Sequence, residues 1–265
     1  MTSKVPSRER EMLFSHRYEE AISGYRERLR RNPLDKAARD GLPTALLAAK
    51  RYAEALPFFV EAHQDAVAGP LPGSPGRRID LAVTNWCLGN EQTAKGLLVE
   101  LVEGITNKTI RYGDIAGGAK QGLLLYYMAM RSDDRNKLTI AKEYLKFLVN
   151  RFNKKQWATP FPSHVVRFLL GDIPFDEMLR GAIDPPPGIF VNLPPEKARR
   201  NRQFLKLRFE IVATFYDGVK GLADGDQGYF LRRMGDCLKE ENPIIEPEWY
   251  LARHEAAQAA VSHTP

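Results

Sequence analysis

Gly113-Asp114-Ile115-Ala116-Gly117-Gly118-Ala119-Lys120 is a stretch that invites comparison with a phosphate cradle. Such a loop binds phosphate through backbone N–H groups and a lysine after its last glycine, with a Ser or Thr hydroxyl for the metal. Here the lysine comes one residue late, no Ser or Thr follows it, and no apolar strand leads in. Small residues that let two helices approach closely account for the stretch better. Asp224-Gly225-Asp226 opens like a calcium loop, which needs a glutamate at its twelfth position. None stands there, and a turn between helices explains the residues. The histidines, His16, His63, His164, His254 and His263, show no metal-ligand spacing and no companion nucleophile, and His164 reads as a buried or capping residue. Cys87 and Cys237 read as small core residues, and no disulfide is expected between them. These residue types predict no catalytic group, no cofactor and no metal, hence a protein that is not an enzyme.

The elements that would position such groups announce themselves through a repeat. Arg17-Tyr18-Glu19-Glu20-Ala21 recurs as Arg51-Tyr52-Ala53-Glu54-Ala55, 34 residues later, and Tyr25 recurs in kind as Phe59. That period belongs to a pair of helices that cannot cover its own apolar face and must stack on copies of itself. Ala55, Phe59 and Ala62 supply a small, an aromatic and a small residue at spacings of four and three, and Ala21 and Tyr25 match the first two positions. Arg28 departs at the third, and Pro33 ends that helix. A third copy runs from Leu81-Ala82 through Gly89-Asn90 to Ala94, Leu98 and Leu101, displaced by five residues because Leu71-Pro72-Gly73-Ser74-Pro75-Gly76 lengthens the turn before it. A fourth pairs Gly118 to Met130 with Leu138 to Arg151, where Ala141, Leu145 and Leu148 keep the spacing. A last one uses Phe215-Tyr216-Asp217-Gly218 and Gly225-Asp226, with Phe230 where a small residue is expected, so this copy must pack differently.

These residues resemble the tetratricopeptide family. The resemblance implies an all-α protein, a right-handed solenoid of about five helical hairpins. A non-repeat insertion precedes the last hairpin. Three segments are expected: repeat hairpins over 1–155, a helical and proline-rich insertion over 156–201, and a closing hairpin with a C-terminal helix over 202–265. Within the insertion, Trp157-Ala158-Thr159-Pro160-Phe161-Pro162 leads to two short helices separated by Gly171 and Pro174, after which Pro185-Pro186-Pro187-Gly188 breaks all regular structure. The combination is similar to bacterial tetratricopeptide adaptor lipoproteins. This sequence shows neither an apolar leader after Met1-Thr2-Ser3-Lys4-Val5-Pro6 nor a lipid-attachment cysteine, and its longest apolar run, Leu123 to Met130, is too short to span a bilayer. A cytosolic location with no membrane contact is expected.

In the family frame, the groove-facing side of the first helix of each hairpin carries Thr44, Leu47 and Ala48 in the second copy, and Val83, Trp86 and Cys87 in the third. Trp86 combines a large apolar face with a polar N–H, a type enriched at binding hot spots, and inter-repeat packing is its equal alternative. Charge adds a second candidate surface. The net charge of +6 is concentrated in Lys197, Arg199, Arg200, Arg202, Lys206 and Arg208, and in Arg26, Arg28, Arg30 and Arg31. Such runs are most often solvated helix faces; beyond that they suit an acidic protein partner, drawn in by the local potential. The expected function is a protein-binding module, favoured as an immunity protein that inhibits a toxin or as an adaptor gripping one bacterial protein. The alternative is a nucleic-acid-binding regulator using the run 197–208, although only Phe204 interleaves it as an aromatic.

Overall fold

The computed structural model describes residues 7–68, 75–110, 118–153, 161–183, 194–239 and 246–262. Helices occupy these residues throughout, with no strand among them: α1 (Arg8–Phe14), α2 (Tyr18–Arg31), α3 (Lys36–Ala48), α4 (Tyr52–Ala68), α5 (Pro75–Cys87), α6 (Glu91–Thr106), α7 (Ala119–Arg131), α8 (Arg135–Asn153), α9 (Ser163–Leu170), α10 (Phe175–Ile183), α11 (Pro195–Ala223), α12 (Gln227–Asp236) and α13 (Pro247–Ser262). The chain forms two compact units, Met1–Ala94 and Lys95–Pro265. The all-helical expectation holds. Of the insertion, 156–160, with Trp157 to Pro160, and 184–193 lie outside the described residues, as do 113–117 of the glycine-rich stretch and 71–74 of the lengthened turn.

One turn recurs between helices. Its central residue has positive φ at His16, Lys50, Gly89, Asp133, Gly171 and Gly225. In each turn the N–H of the following residue reaches back five positions to a helix carbonyl: Arg17 to Met12, Arg51 to Leu46, Asn90 to Asn85, Asp134 to Ala129, Asp172 to Arg167 and Asp226 to Gly221, all at 2.8–2.9 Å. The central N–H bonds three positions back, to Leu13, Leu47, Trp86, Met130, Phe168 and Leu222, at 2.9–3.3 Å. This double closure satisfies the orphan carbonyls at the helix end, and one left-handed residue makes it possible. The repeat is therefore a backbone motif. It extends to α9 and α10 inside the insertion, where the sequence pattern shows no copy.

Glycine is free to take that conformation, whereas a residue with a Cβ is strained there. At Gly89 nothing lies within 4 Å of a built Cβ, so Gly89→Ala isolates the backbone strain. It is expected to lower stability by about 1–2 kcal/mol. Urea midpoints of parent and variant check this, and equal midpoints would remove the turn as a determinant.

After four of the six turns, those leading into α2, α4, α6 and α12, the following helix buries the same register, whereas Asp176 and Arg180 occupy it exposed in α10. Five, nine and twelve residues past the left-handed residue stand Ala94, Leu98 and Leu101 in α6, and Phe230, Met234 and Cys237 in α12, all within 1% of full burial. In the N-terminal unit Ala21 and Tyr25 of α2, and Ala55 and Phe59 of α4, fill the first two positions and are buried. The third position is not a core site there, since Arg28 and Ala62 are only half-buried. Gly41 of α3 is where Tyr25 lands, since a Cβ would run into its ring. Ala55 has no exposure, so Ala55→Leu must overpack α4 and is expected to cost about 1–3 kcal/mol, read from the denaturation midpoint.

The C-terminal unit is built around α7. Every residue from Gln121 to Ala129 is buried, which the apolar run Leu123 to Met130 demands. Helix α8 covers one side through Ala141, Tyr144, Leu145 and Leu148, with Gly122 leaving room for the Tyr144 ring. These residues keep the helical spacing but begin three positions later, relative to the turn, than their counterparts in α6 and α12. Lys95 of α6, fully buried, ties that helix to the next turn by bonding Ser132 Oγ at 2.8 Å and Asp134 at 2.9 Å, while Asp134 also caps α8 through the Lys137 N–H. In the last copy Phe230 holds that register fully buried, and Gly218 and Gly221 of α11 lie against Met234, Arg233 and Tyr229 of α12, where a Cβ on Gly218 would sit 2.8 Å from Met234 Cε.

Candidate functional site

The first basic cluster belongs to an ionic lattice within the N-terminal unit. Arg51 of the repeated motif bonds Glu54 at 2.6 Å and reaches back to Glu19 at 2.8 Å, while Arg26 meets Glu54 at 2.7 Å. Arg28 bridges Glu9 at 3.1 Å and Asp35 at 2.8 Å, and Arg30 and Arg31 both pair with Glu27. Hydrogen bonds from Arg51 and Arg26 hold the Glu54 carboxyl well down, at about 2. Charge balanced this way projects little field outward, and exposed pairs add little stability each.

The groove residues of the sequence reading lie inward. Leu47, Val83 and Trp86 retain only 3%, 1% and 5% exposure, Ala48 and Cys87 are also buried, and Thr44 is half-buried with its hydroxyl on the Asp40 carbonyl at 3.3 Å. Trp86 and Leu47 stand three residues before the left-handed turn residue, where Leu13 and Phe168 stand in other copies. The place is apolar in all six copies and buried in four, with Met130 and Leu222 half-buried there, so it is a packing position for the tryptophan.

The second basic run divides. Arg199 and Arg202 are exposed on α11, and neither has an ion-pair partner among the described residues. The side chains of Lys197 and Arg200 lie outside the described ones. Lys206 stands 3.6 Å from Glu210. Arg208 turns inward and pairs with Glu246, leaving the surface run shorter than the sequence suggests.

That inward pair belongs to the densest cluster of ionisable groups in the C-terminal unit, and it gathers around the last helix. Glu246 precedes α13 and Glu248 opens it, while Glu255 follows two turns on; all three are at least 97% buried. Lys120 at the start of α7 bonds Glu246 at 2.6 Å, opposite Arg208 of α11. The lysine of the glycine-rich stretch is thus committed to a carboxylate. Tyr216 of α11 donates its hydroxyl to Glu248 at 3.2 Å. Farther along α7, Tyr127 donates to Glu255 at 2.5 Å and Arg131 bonds the same carboxylate at 3.1 Å. The spacing of Lys120, Tyr127 and Arg131 puts them on one stripe of α7.

Electrostatics distinguish the carboxylates. Burial pushes Glu246 upward, but Lys120 and Arg208 outweigh it and hold the group below its ordinary value. Burial likewise raises Glu248, the neighbouring Glu246 charge adds to that, and Glu248 ends above its ordinary value. Burial would lower Lys120, yet Glu246 and Glu248 keep it charged and raise it. Glu248 Oε2 has no hydrogen-bond partner among the described residues, nor has either amide atom of Gln121, one residue on from Lys120.

The other singled-out groups have structural uses. Asp226 caps α12 through the Tyr229 N–H at 2.7 Å, beside Gly225 in its turn. His164 packs on Gly181, and burial, then Arg167, lowers its affinity for a proton. Burial also raises the Cys237 thiol, which points to the Ile211 carbonyl at 3.7 Å. Among the described residues no cluster of His, Cys, Asp or Glu could hold a metal, and no helix is long and apolar enough to cross a membrane. No family model matches the chain, and no curated protein matches its sequence.

Proposed function

We propose that this chain is a non-enzymatic, tetratricopeptide-like protein-binding module, acting as an adaptor or as an immunity-type inhibitor of one protein partner in the cytosol. The observation that carries this reading is the recurrence of one hairpin turn, with the same double hydrogen-bond closure, six times along the chain. A stack of such hairpins presents helix faces and suits the recognition of another chain more than the enclosure of a small substrate. Exposed Arg199 and Arg202 on α11 favour an acidic surface on that partner.

The test is capture of a partner from the native host, followed by reconstitution of a binary complex from two purified proteins. With that complex in hand, Arg199→Glu with Arg202→Glu is expected to slow association about tenfold at low salt, the loss shrinking as salt rises. Retention of RNA or DNA in place of a protein, with affinity falling steeply in salt, would instead establish the nucleic-acid reading.

A further inference from the structure

α7 and α11 turn five donors toward the acids of α13, whose Trp249, Tyr250, Leu251 and Ala252 are also buried. Lys120, Arg208 and Arg131 are cationic, and the Tyr127 and Tyr216 hydroxyls both donate in the observed bonds. Such a surface is satisfied only by acceptors, and α13 brings three carboxylates to it: Glu246, Glu248 two residues on, and Glu255 seven further. Without an occupant it would leave two tyrosine hydroxyls and three cations without their carboxylates beside buried apolar side chains, so it requires an acidic helix.

Three observations separate this seat from an ordinary core contact. Its pairings with α7 join residues 124 to 128 positions apart and run through polar groups. The fit is incomplete, because Glu248 Oε2 is fully buried and has no hydrogen-bond partner among the described residues. The cations are also reachable from outside, with Lys120, Arg208 and Arg131 keeping 25%, 26% and 37% side-chain exposure. An incoming acidic chain can therefore engage these side chains before α13 has left.

We infer that this seat is a recognition site for a carboxylate-bearing helix of the protein partner, and that α13 is its built-in occupant, which the partner helix replaces. The inference rests on the protein-binding reading above. It names the chemistry of the partner: an acidic helix with one carboxylate just before its start, in the place of Glu246, and a second nine residues on, in the place of Glu255.

The experiment uses the full chain and a labelled synthetic peptide of residues 246–262, with a second peptide carrying Gln for Glu246, Glu248 and Glu255. Glu255→Gln in the chain removes the charge that answers Arg131, keeps an acceptor for the Tyr127 hydroxyl, and so loosens the internal helix while leaving the donors in place. The wild-type peptide is expected to bind this variant at least tenfold more tightly than it binds the parent chain, and the Gln peptide at least tenfold more weakly than the acidic one. Should Glu255→Gln lose its helical content, hydrogen exchange on the parent chain serves instead. Excess acidic peptide then speeds exchange of the 247–262 amides, and the Gln peptide does not.

Equal binding of the two peptides, or of neither, overturns the inference. Concentration-dependent dimers that bury α13 would overturn it in favour of a second copy of this chain as the occupant. In the reconstituted complex, a partner that binds without competing with the acidic peptide sinks the inference alone, whereas the absence of any binary complex sinks the protein-binding reading.

Discussion

Glu246→Gln is expected to lower the stability of the C-terminal unit by about 3 kcal/mol, whereas Glu248→Gln, two residues away, is expected to leave it unchanged or raise it by about 1 kcal/mol. The two side chains share burial but not partners. Glu246 answers two cations, so its removal strands Lys120 and Arg208 with their charge uncompensated. Both cations remain about a quarter exposed, which keeps the loss at the lower end of the range for a broken buried pair. Among the described residues Glu248 accepts one side-chain hydrogen bond, from the Tyr216 hydroxyl, which a glutamine oxygen accepts equally well, and the Lys120 that favours its charge is already bonded to Glu246. The pH dependence separates the two further. Glu246 has a lowered value in the fold, so its contribution is present above the ordinary carboxylate value near 4.5 and is lost as pH falls through the depressed one. Glu248 has a raised value, so its contribution is present below the ordinary value and is lost as pH rises through the raised one. Urea midpoints of parent and Glu248→Gln should therefore meet near pH 4 and separate toward neutrality, with the variant ahead. A parent that outlasts Glu248→Gln at pH 7 would mean that the buried carboxylate is ionised and usefully paired.

Local features of this chain were legible in its sequence, and distant ones were not. The Arg-Tyr-x-Glu-Ala motif is short and repeated, and it marks the helix that follows a turn because Arg51 bonds Glu54 within that helix. The size pattern at Ala55 and Phe59 was legible for the same reason: helical spacing alone brings those residues to one face. The α9–α10 copy was hidden, since its signature is the left-handed Gly171 and two backbone hydrogen bonds, while its side chains follow no repeat. The type of Trp86 suits a hot spot and a packing position equally; it is buried, at a place before the turn that leucine or phenylalanine fills elsewhere. The seat of α13 left the least trace, because Lys120 and Glu246 are 126 residues apart and nothing near either announces the other. Its one available signal was Glu246-Pro247-Glu248-Trp249-Tyr250-Leu251, where acids alternate with large apolar residues and no polar face forms. Acids in a helix without a solvent face must find cations inside the fold.

Phe230→Ala is expected to cost about 3–5 kcal/mol, although it installs the small residue that the repeat pattern asks for at that position. The counterparts of Phe230 in α4 and α6 are Ala55 and Ala94, each with no exposed surface, so alanine plainly fits this register in those copies. In the last copy the facing helix is α11, which packs on α13 as well as on α12. Phe230 has no exposed surface, and α11 cannot move into its place without breaking its contacts with α13. The cavity left by the phenyl ring therefore stays open, which is the condition under which truncations cost most. A Cβ on Gly218 would sit 2.8 Å from Met234 Cε and 2.9 Å from Arg233 Cβ, so Gly218→Ala is expected to cost about 1–3 kcal/mol by overpacking. Urea midpoints read both variants. A Phe230→Ala variant as stable as the parent would mean that the phenyl ring fills no core volume and that alanine serves this register in the last hairpin as it does in the others.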